Sequence, residues 1–228
     1  MKNHLFLGLT VLGLLLGSCT TLQNLATAPS NIETLLAVKE VLNSSAFRSL
    51  ETMAKTSDGG LMALLPDEAQ PVIATLKTLG LGDEIDGLNK KVEIASEAAL
   101  IEGKGLMSDA ISEFKAEDAA SIILGGENAA TIALKNAMYG AVKKRYSSRL
   151  DDKLSNVDEV KHWDTAVSTY NLFAKNKIDG SLSDFIAERA VDAVFVTMGK
   201  EEAVIRKDPA ALGKDVVTKV FDYYKNNN

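Results

Sequence analysis

Reactive side chains are scarce in this chain of 228 residues. It holds one cysteine, Cys19, and two histidines, His4 and His162. An ionised thiol is a nucleophile and a soft metal ligand, but a single cysteine builds neither a disulfide framework nor a thiolate metal cage. His162 stands beside Trp163. It could act as a base, yet a triad also needs a nucleophile and an orienting group, and no serine is nominated by spacing, so His162 reads as a helix-surface residue. Zinc sites favour His and Cys, and the chain cannot assemble a His-rich one. Carboxylates offer more. Glu93 and Glu97 lie four apart on one helix face, and Glu113, Glu117 and Asp118 gather at a helix junction. Turned inward, such acids could hold a hard cation or perform acid–base chemistry. Turned outward, they form a solvated face or complement a helix dipole, which is the reading adopted. The Gly125-Gly126-Glu127-Asn128 turn is the best candidate for a backbone anion site, because an Ala-rich helix follows it. Glu127 opposes an anion there, and a tight helix–helix corner accounts for the glycines. Gly103-Lys104-Gly105 reads as a helix break. Neither an EF-hand spacing nor a P-loop occurs. No catalytic residue, cofactor or metal ligand is assigned, and the balance is against an enzyme.

Cys19 acquires a role from its surroundings. The chain opens MKNHLFLGLTVLGLLLGSCT. Lys2 supplies a positive start, Leu5 to Leu16 form an uncharged apolar run, and Leu16-Gly17-Ser18-Cys19 closes it with small residues. A membrane span needs about 20 apolar residues, and this run is about 12, the length of a signal-peptide core. The stretch resembles a bacterial lipoprotein signal peptide with its lipobox. The resemblance implies cleavage before Cys19 and lipidation of its thiol by diacylglycerol. Two or more acyl chains anchor stably where one binds marginally. The expected organisation is a signal peptide over residues 1–18, a lipidated tether over 19–30 and a helical domain over 31–225. Thr20 stands where an Asp tends to retain Gram-negative lipoproteins at the inner membrane, so the expected address is the periplasmic face of the outer membrane.

Composition constrains the rest. The net charge is −6, and cleavage before Cys19 removes Lys2 and makes the remainder more acidic. Such a chain does not bind nucleic acid by neutralising phosphates. Alanine, leucine, lysine and glutamate are plentiful, aromatics are 6% of residues, and the four prolines at 29, 66, 71 and 209 leave long uninterrupted stretches. These features favour helix.

Periodicity supplies about eight helices. The first spans 31–54, with Ile32, Leu35, Leu36, Lys39, Leu42, Ala46 and Leu50 on one face and Ser30 or Asn31 as its cap. Leu61 to Leu65 read as a connector, and Pro66 and Pro71 open the second helix, which runs to Leu79. A third covers Asp83 to about Glu102, and Leu106 to Phe114 resumes after the glycines. Glu117 to Leu124 is short, and a helix from Asn128 reaches about Tyr146. Its basic end, Lys143, Lys144, Arg145 and Arg149, complements the dipole or, alternatively, touches lipid headgroups. Residues 157–174 follow, capped by Asn156. The most apolar helix starts at Ser181 or Ser183 and extends to Gly199, with Glu202 and Arg206 paired on a polar extension. A last helix covers about 209–224. No segment shows sustained β alternation. The fold class is all-α, a single-domain helical bundle.

Glu117-Asp118-Ala119, Ile122-Ile123-Leu124-Gly125-Gly126 and Ala129-Ala130-Thr131 together resemble the centre of the bacterial family catalogued as domain of unknown function 4197. Phe185-Ile186 with Ala190, Asp192 and Phe195, then Glu201-Glu202, Ile205-Arg206, Asp208-Pro209 and Val220-Phe221, are similar to its ending. Ala37 to Leu42 and Leu79-Gly80-Leu81-Gly82 fit upstream, so the likeness covers roughly 35–222. Lys115 stands where members often carry a hydroxyl residue, and Ala193 replaces a common glycine. The resemblance implies a helical, exported or lipid-anchored protein and carries over no catalytic residue. The expected function is a non-enzymatic binding or scaffolding module of the envelope. Its expected partners are the membrane, through Cys19, and an envelope protein or ligand. The rival readings are a carboxylate-based hydrolase or metal-dependent enzyme, which needs converging acids, and a carrier of lipid or another apolar ligand, which needs a void of hundreds of cubic ångströms beside the 181–199 helix.

Overall fold

A computed structural model describes residues 27–56, 60–65, 67–155, 160–175 and 177–227. Nine α-helices and no strand occur among them: α1 (Asn31–Thr56), α2 (Gly60–Leu64), α3 (Gln70–Leu76), α4 (Gly82–Glu113), α5 (Ala119–Leu124), α6 (Ala129–Leu154), α7 (Lys161–Phe173), α8 (Leu182–Lys207) and α9 (Asp215–Asn226). The all-α single-domain expectation holds. None of these helices is long and apolar enough to cross a membrane.

The first helix starts with a reciprocal cap. Ser30 Oγ accepts from the Glu33 N–H at 3.2 Å, while the Glu33 carboxylate accepts from the Ser30 N–H at 2.8 Å. This is the S-x-x-E capping box, so Ser30 is the cap. The buried stripe of α1 is Ala37, Val38, Val41, Leu42, Ala46 and Leu50. Ile32 and Leu36, expected on the inner face, are exposed.

Helix α8 is central, as its apolar circumference predicts. It packs against α6 on one side and α1 on the other, and α4 completes the layer by packing on α6 and α1. Leu182, Ile186, Ala187, Val191 and Met198 are enclosed there. The Ser49 hydroxyl donates to the Val194 carbonyl at 3.1 Å, stitching α1 to α8. Ser181 caps α8 by accepting from the Asp184 N–H.

One expected boundary is absent: helix α4 runs unbroken through Gly103-Lys104-Gly105. Helix α8 continues past Gly199 through its expected extension to Lys207, and Asp208-Pro209 follows it. A Cβ at Gly103 would lie 3.3 Å from Leu50 Cδ2, and one at Gly199 3.3 Å from Asn128 Cβ. Each glycine lets a neighbouring segment approach closely, and Gly103 does so instead of ending its helix. Tertiary packing here overrides a residue cost of about 1 kcal/mol relative to Ala in a helix.

Between α1 and α4 the chain is more segmented than expected. Leu61 to Leu64 are helical within α2 and Leu65 lies just beyond it, Pro71 lies in the first turn of α3, and a π turn over Lys77–Leu81 contains Gly80 at φ 91°. Pro66 and the expected Asn156 cap lie outside the described residues, as do Cys19, the signal segment and most of the tether. Helix α6 extends to Leu154, eight residues beyond the expected end. After α8, Asp208 caps a 3₁₀ turn over Pro209–Leu212, Gly213 turns the chain at φ 67°, and α9 follows.

Candidate functional site

The most concentrated buried polar constellation joins four helices. Glu202 on α8 is fully enclosed. Its carboxylate accepts from the Ala130 N–H at 2.9 Å and the Thr131 N–H at 2.7 Å, two of the unpaired donors in the first turn of α6. Arg206, one turn along α8, donates from Nε to Glu202 at 2.7 Å. Its other nitrogens donate to the Ile123 and Ile122 carbonyls at 2.8 and 2.9 Å, at the end of α5. The guanidinium also lies 5.5 Å from the Phe221 ring centroid on α9. The i,i+4 pair was legible in the sequence, but its place is the interior, not a polar extension. A buried carboxylate is tolerated when it is paired and its oxygens are hydrogen-bonded, and a helix N-terminus adds a favourable dipole.

This arrangement rules out the candidate anion site and agrees with the helix–helix corner read from the glycines. The backbone donors beyond Gly125-Gly126-Glu127-Asn128 are occupied by the protein's own carboxylate. Asn128 makes no side-chain cap; its side chain packs against Gly199, and Glu202 caps α6 from a distant helix. The glycine corner is therefore a helix–helix junction.

Beside the junction lies a groove of about 450 Å³ between the first turns of α6 and the middle of α8. Phe195 and Gly199 line its α8 side, with Val196 more than half exposed, and Ile132 on α6 is half exposed opposite. Lys135 and Lys200 add charge along its length. Lys135 pairs with Asp192 at 2.9 Å and sits over the Tyr139 and Phe195 rings. The Thr131 hydroxyl belongs to a residue lining the groove, is enclosed, and has no hydrogen-bond partner among the described residues. Sequence reasoning missed this groove. Its only local signal is the pair of large apolar residues, Ile132 and Val196, left on otherwise polar helix faces.

The acids expected at the junction do not converge. Glu113 takes a two-pronged hydrogen bond from Arg145, both distances 2.9 Å. Asp118 caps α5, accepting from the Ser121 N–H at 3.0 Å; its bonds from Ser121 hold its carboxyl below the usual aspartate range. Asp118 thus supplies the cap, although Lys115 stands where a hydroxyl is common. Glu93 and Glu117 are exposed, as is His162, and the Glu97 side chain lies outside the described part. Among the described residues no group of three or more His, Cys, Asp or Glu could hold a metal ion.

The basic end of α6 is largely neutralised. Lys143 pairs with Glu188, Arg145 with Glu113, and Lys153 and Arg149 with Glu102. Lys153 and Arg149 hold the Glu102 carboxyl below its ordinary value, the Lys153 hydrogen bond contributing most. Apolar voids are small. One of about 20 Å³ lies beside α8, against Leu50, Gly103, Tyr146 and Val191. Another, of about 50 Å³, lies between α3, α4 and α7. Both fall far below the hundreds of cubic ångströms of a ligand cavity.

A family model for a protein of unknown function, DUF4197, matches residues 28–222. The chain belongs to the DUF4197 family. The match spans the whole bundle, from the cap of α1 into α9, and includes the Glu202–Arg206 junction and both walls of the groove. No curated protein matches the chain, and no solved structure matches it.

Proposed function

We propose that this DUF4197 protein is a lipid-anchored binding module of the bacterial envelope, held by acyl chains on Cys19 at the periplasmic face of the outer membrane. It takes an envelope protein or ligand in the groove between α6 and α8. The groove carries the binding part of this reading. It has the volume of a ligand site, Ile132 and Val196 on its two walls remain exposed, and its walls are fixed by the Glu202–Arg206 junction behind them. The short apolar run, small-residue exit and single cysteine of the first twenty residues support the anchor. The scattered acids count against carboxylate catalysis; the two apolar voids are small, and the groove beside α8 is open and lined by Glu127, Lys135 and Lys200 as well as apolar residues, which favours a surface partner over an enclosed lipid.

Fatty-acid labelling in growing cells tests the anchor. The wild-type chain takes up label and Cys19→Ala does not; label surviving in Cys19→Ala refutes it. A photocrosslinking residue placed at position 196 tests the groove. It gives a discrete adduct that disappears with Ile132→Glu across the groove and is absent from position 94 on α4. Equal adducts from positions 196 and 94 refute the groove as the binding surface.

A further inference from the structure

We infer that the turn after α7 is a second membrane contact, docking on an anionic phospholipid surface. Leu172 and Phe173 end α7 and are the most exposed large apolar residues described, at 76% and 83%. Lys175 and Lys177 follow, exposed and with no ion-pair partner among the described residues. Asp179 is the only acid between Phe173 and Ser181.

Ile178 is tied back to the end of α7. The Asn171 carboxamide grips Ile178 at both backbone groups, Nδ2 donating to the carbonyl at 2.8 Å and Oδ1 accepting from the N–H at 2.9 Å. Ile178 is buried, and Gly180 at φ 91° leads into the Ser181 cap of α8. Two large apolar side chains are therefore presented to the outside at the end of α7, which is pinned to Ile178. A bilayer accepts such side chains below the headgroups while neighbouring lysines lie level with the phosphates.

Charge decides the occupant. Lys143, Arg145, Arg149 and Lys153 of α6 are paired with Glu188, Glu113 and Glu102, whereas no described acid pairs with Lys175 or Lys177. A second copy docking by two-fold symmetry would set this patch against itself, bringing both pairs of lysines together around the apolar contact. An anionic bilayer offers complementary charge and an apolar medium together.

The inference rests on the proposed anchor and adds an orientation. Helices α1 and α8 are antiparallel neighbours, with Ser49 against Val194 and the start of α1 tied through Glu33 to Lys219 on α9. The tether leaves from the start of α1, and the turn lies towards the start of α8, at the other end of the bundle. Helix α1, with 26 residues, is roughly 39 Å long. Anchor and turn can touch one bilayer when the bundle lies along its surface.

The lipidated protein, purified and reconstituted into vesicles of phosphatidylethanolamine and phosphatidylglycerol, provides the test. The chain has a single tryptophan, the buried Trp163, so F173W adds a distinguishable reporter. With bromine on the lipid acyl chains, F173W emission is blue-shifted and its added intensity is quenched at least twofold. K175E/K177E in the same background reduces that quenching by more than half. Flotation of the vesicles separates the two contacts. Protein that floats with F173W unquenched overturns the turn contact and leaves the anchor standing; an acidic protein partner for the turn would give this result. Protein that floats and is quenched, but is released by K175E/K177E, supports the turn and removes the anchor. Protein that does not float overturns both.

Discussion

Replacing Glu202 by Ala would leave the Ala130 and Thr131 N–H groups and the Arg206 guanidinium buried without their acceptor. Breaking a buried pair from one side costs about 3–5 kcal/mol, so Glu202→Ala lowers the unfolding free energy by that amount. Glu202→Gln keeps one acceptor oxygen and loses less. Denaturant unfolding checks both, and a loss below about 1 kcal/mol for the Ala variant would show that the junction does not brace the fold. A double-mutant cycle with Arg206→Met adds a coupling of about 1 kcal/mol or more, as expected for residues in one network. Glu33 behaves differently because it is exposed. Hydrogen bonds from Lys219, first, and then from Ser30 lower its carboxyl from 4.5 to about 2. A depressed folded pKa means that its contribution is present above the unfolded value and is lost as pH falls through the folded one. The window is therefore between about 4.5 and about 2. A carboxyl NMR titration of Glu33 with a midpoint near 4.5 would refute the capping arrangement, and Glu33→Gln should remove this acid-side dependence.

The helices were legible because apolar residues recur at helical spacing and prolines are rare. Several boundaries were not, and the glycines show why. A glycine inside a periodic stretch has one signature for two causes, a chain break and a close helix contact, and only the partner helix separates them. A Cβ at Gly103 would meet Leu50 at 3.3 Å, a neighbour that no local window contains, whereas a Cβ at Gly105 would meet nothing within 4 Å. The Glu202 cap on α6 was hidden for the same reason: donor and acceptor are 72 and 71 positions apart, beyond any spacing rule. The two glycines make a paired prediction. Gly105→Ala, exposed within a continuous helix, raises stability by about 0.5–1 kcal/mol. Gly103→Leu forces side-chain volume against Leu50 and lowers stability by about 1–3 kcal/mol. Urea midpoints read both. If Gly105→Ala were destabilising, α4 would not be continuous through this stretch.

The whole molecule divides into a tightly layered part and a lighter flank. Helices α1, α4, α6 and α8 share the central core, and cross-layer bonds such as Ser49 to Val194 and the Glu202–Arg206 junction tie them together. Helix α7 packs chiefly on α3, with the void of about 50 Å³ between that pair and the start of α4. Trp163 packs 5.1 Å from Phe185, but its indole N–H lacks a hydrogen-bond partner among the described residues. An unmade buried hydrogen bond and an apolar gap both cost stability locally. Local opening should follow this division, since segments with fewer buried contacts open at lower free energy than the global transition. Native-state hydrogen exchange is expected to show amides of α3 and α7 exchanging through a sub-global opening, with α6 and α8 exchanging only on full unfolding. Filling the void with Ala166→Val should slow exchange in α3 and α7 and leave α6 and α8 less affected. Equal protection across all these helices would mean that α7 belongs to the same cooperative unit as α8. The end of α7 carrying Leu172 and Phe173 would then be as rigid as the core, not set on a flank that can adjust while the layer beneath it stays folded.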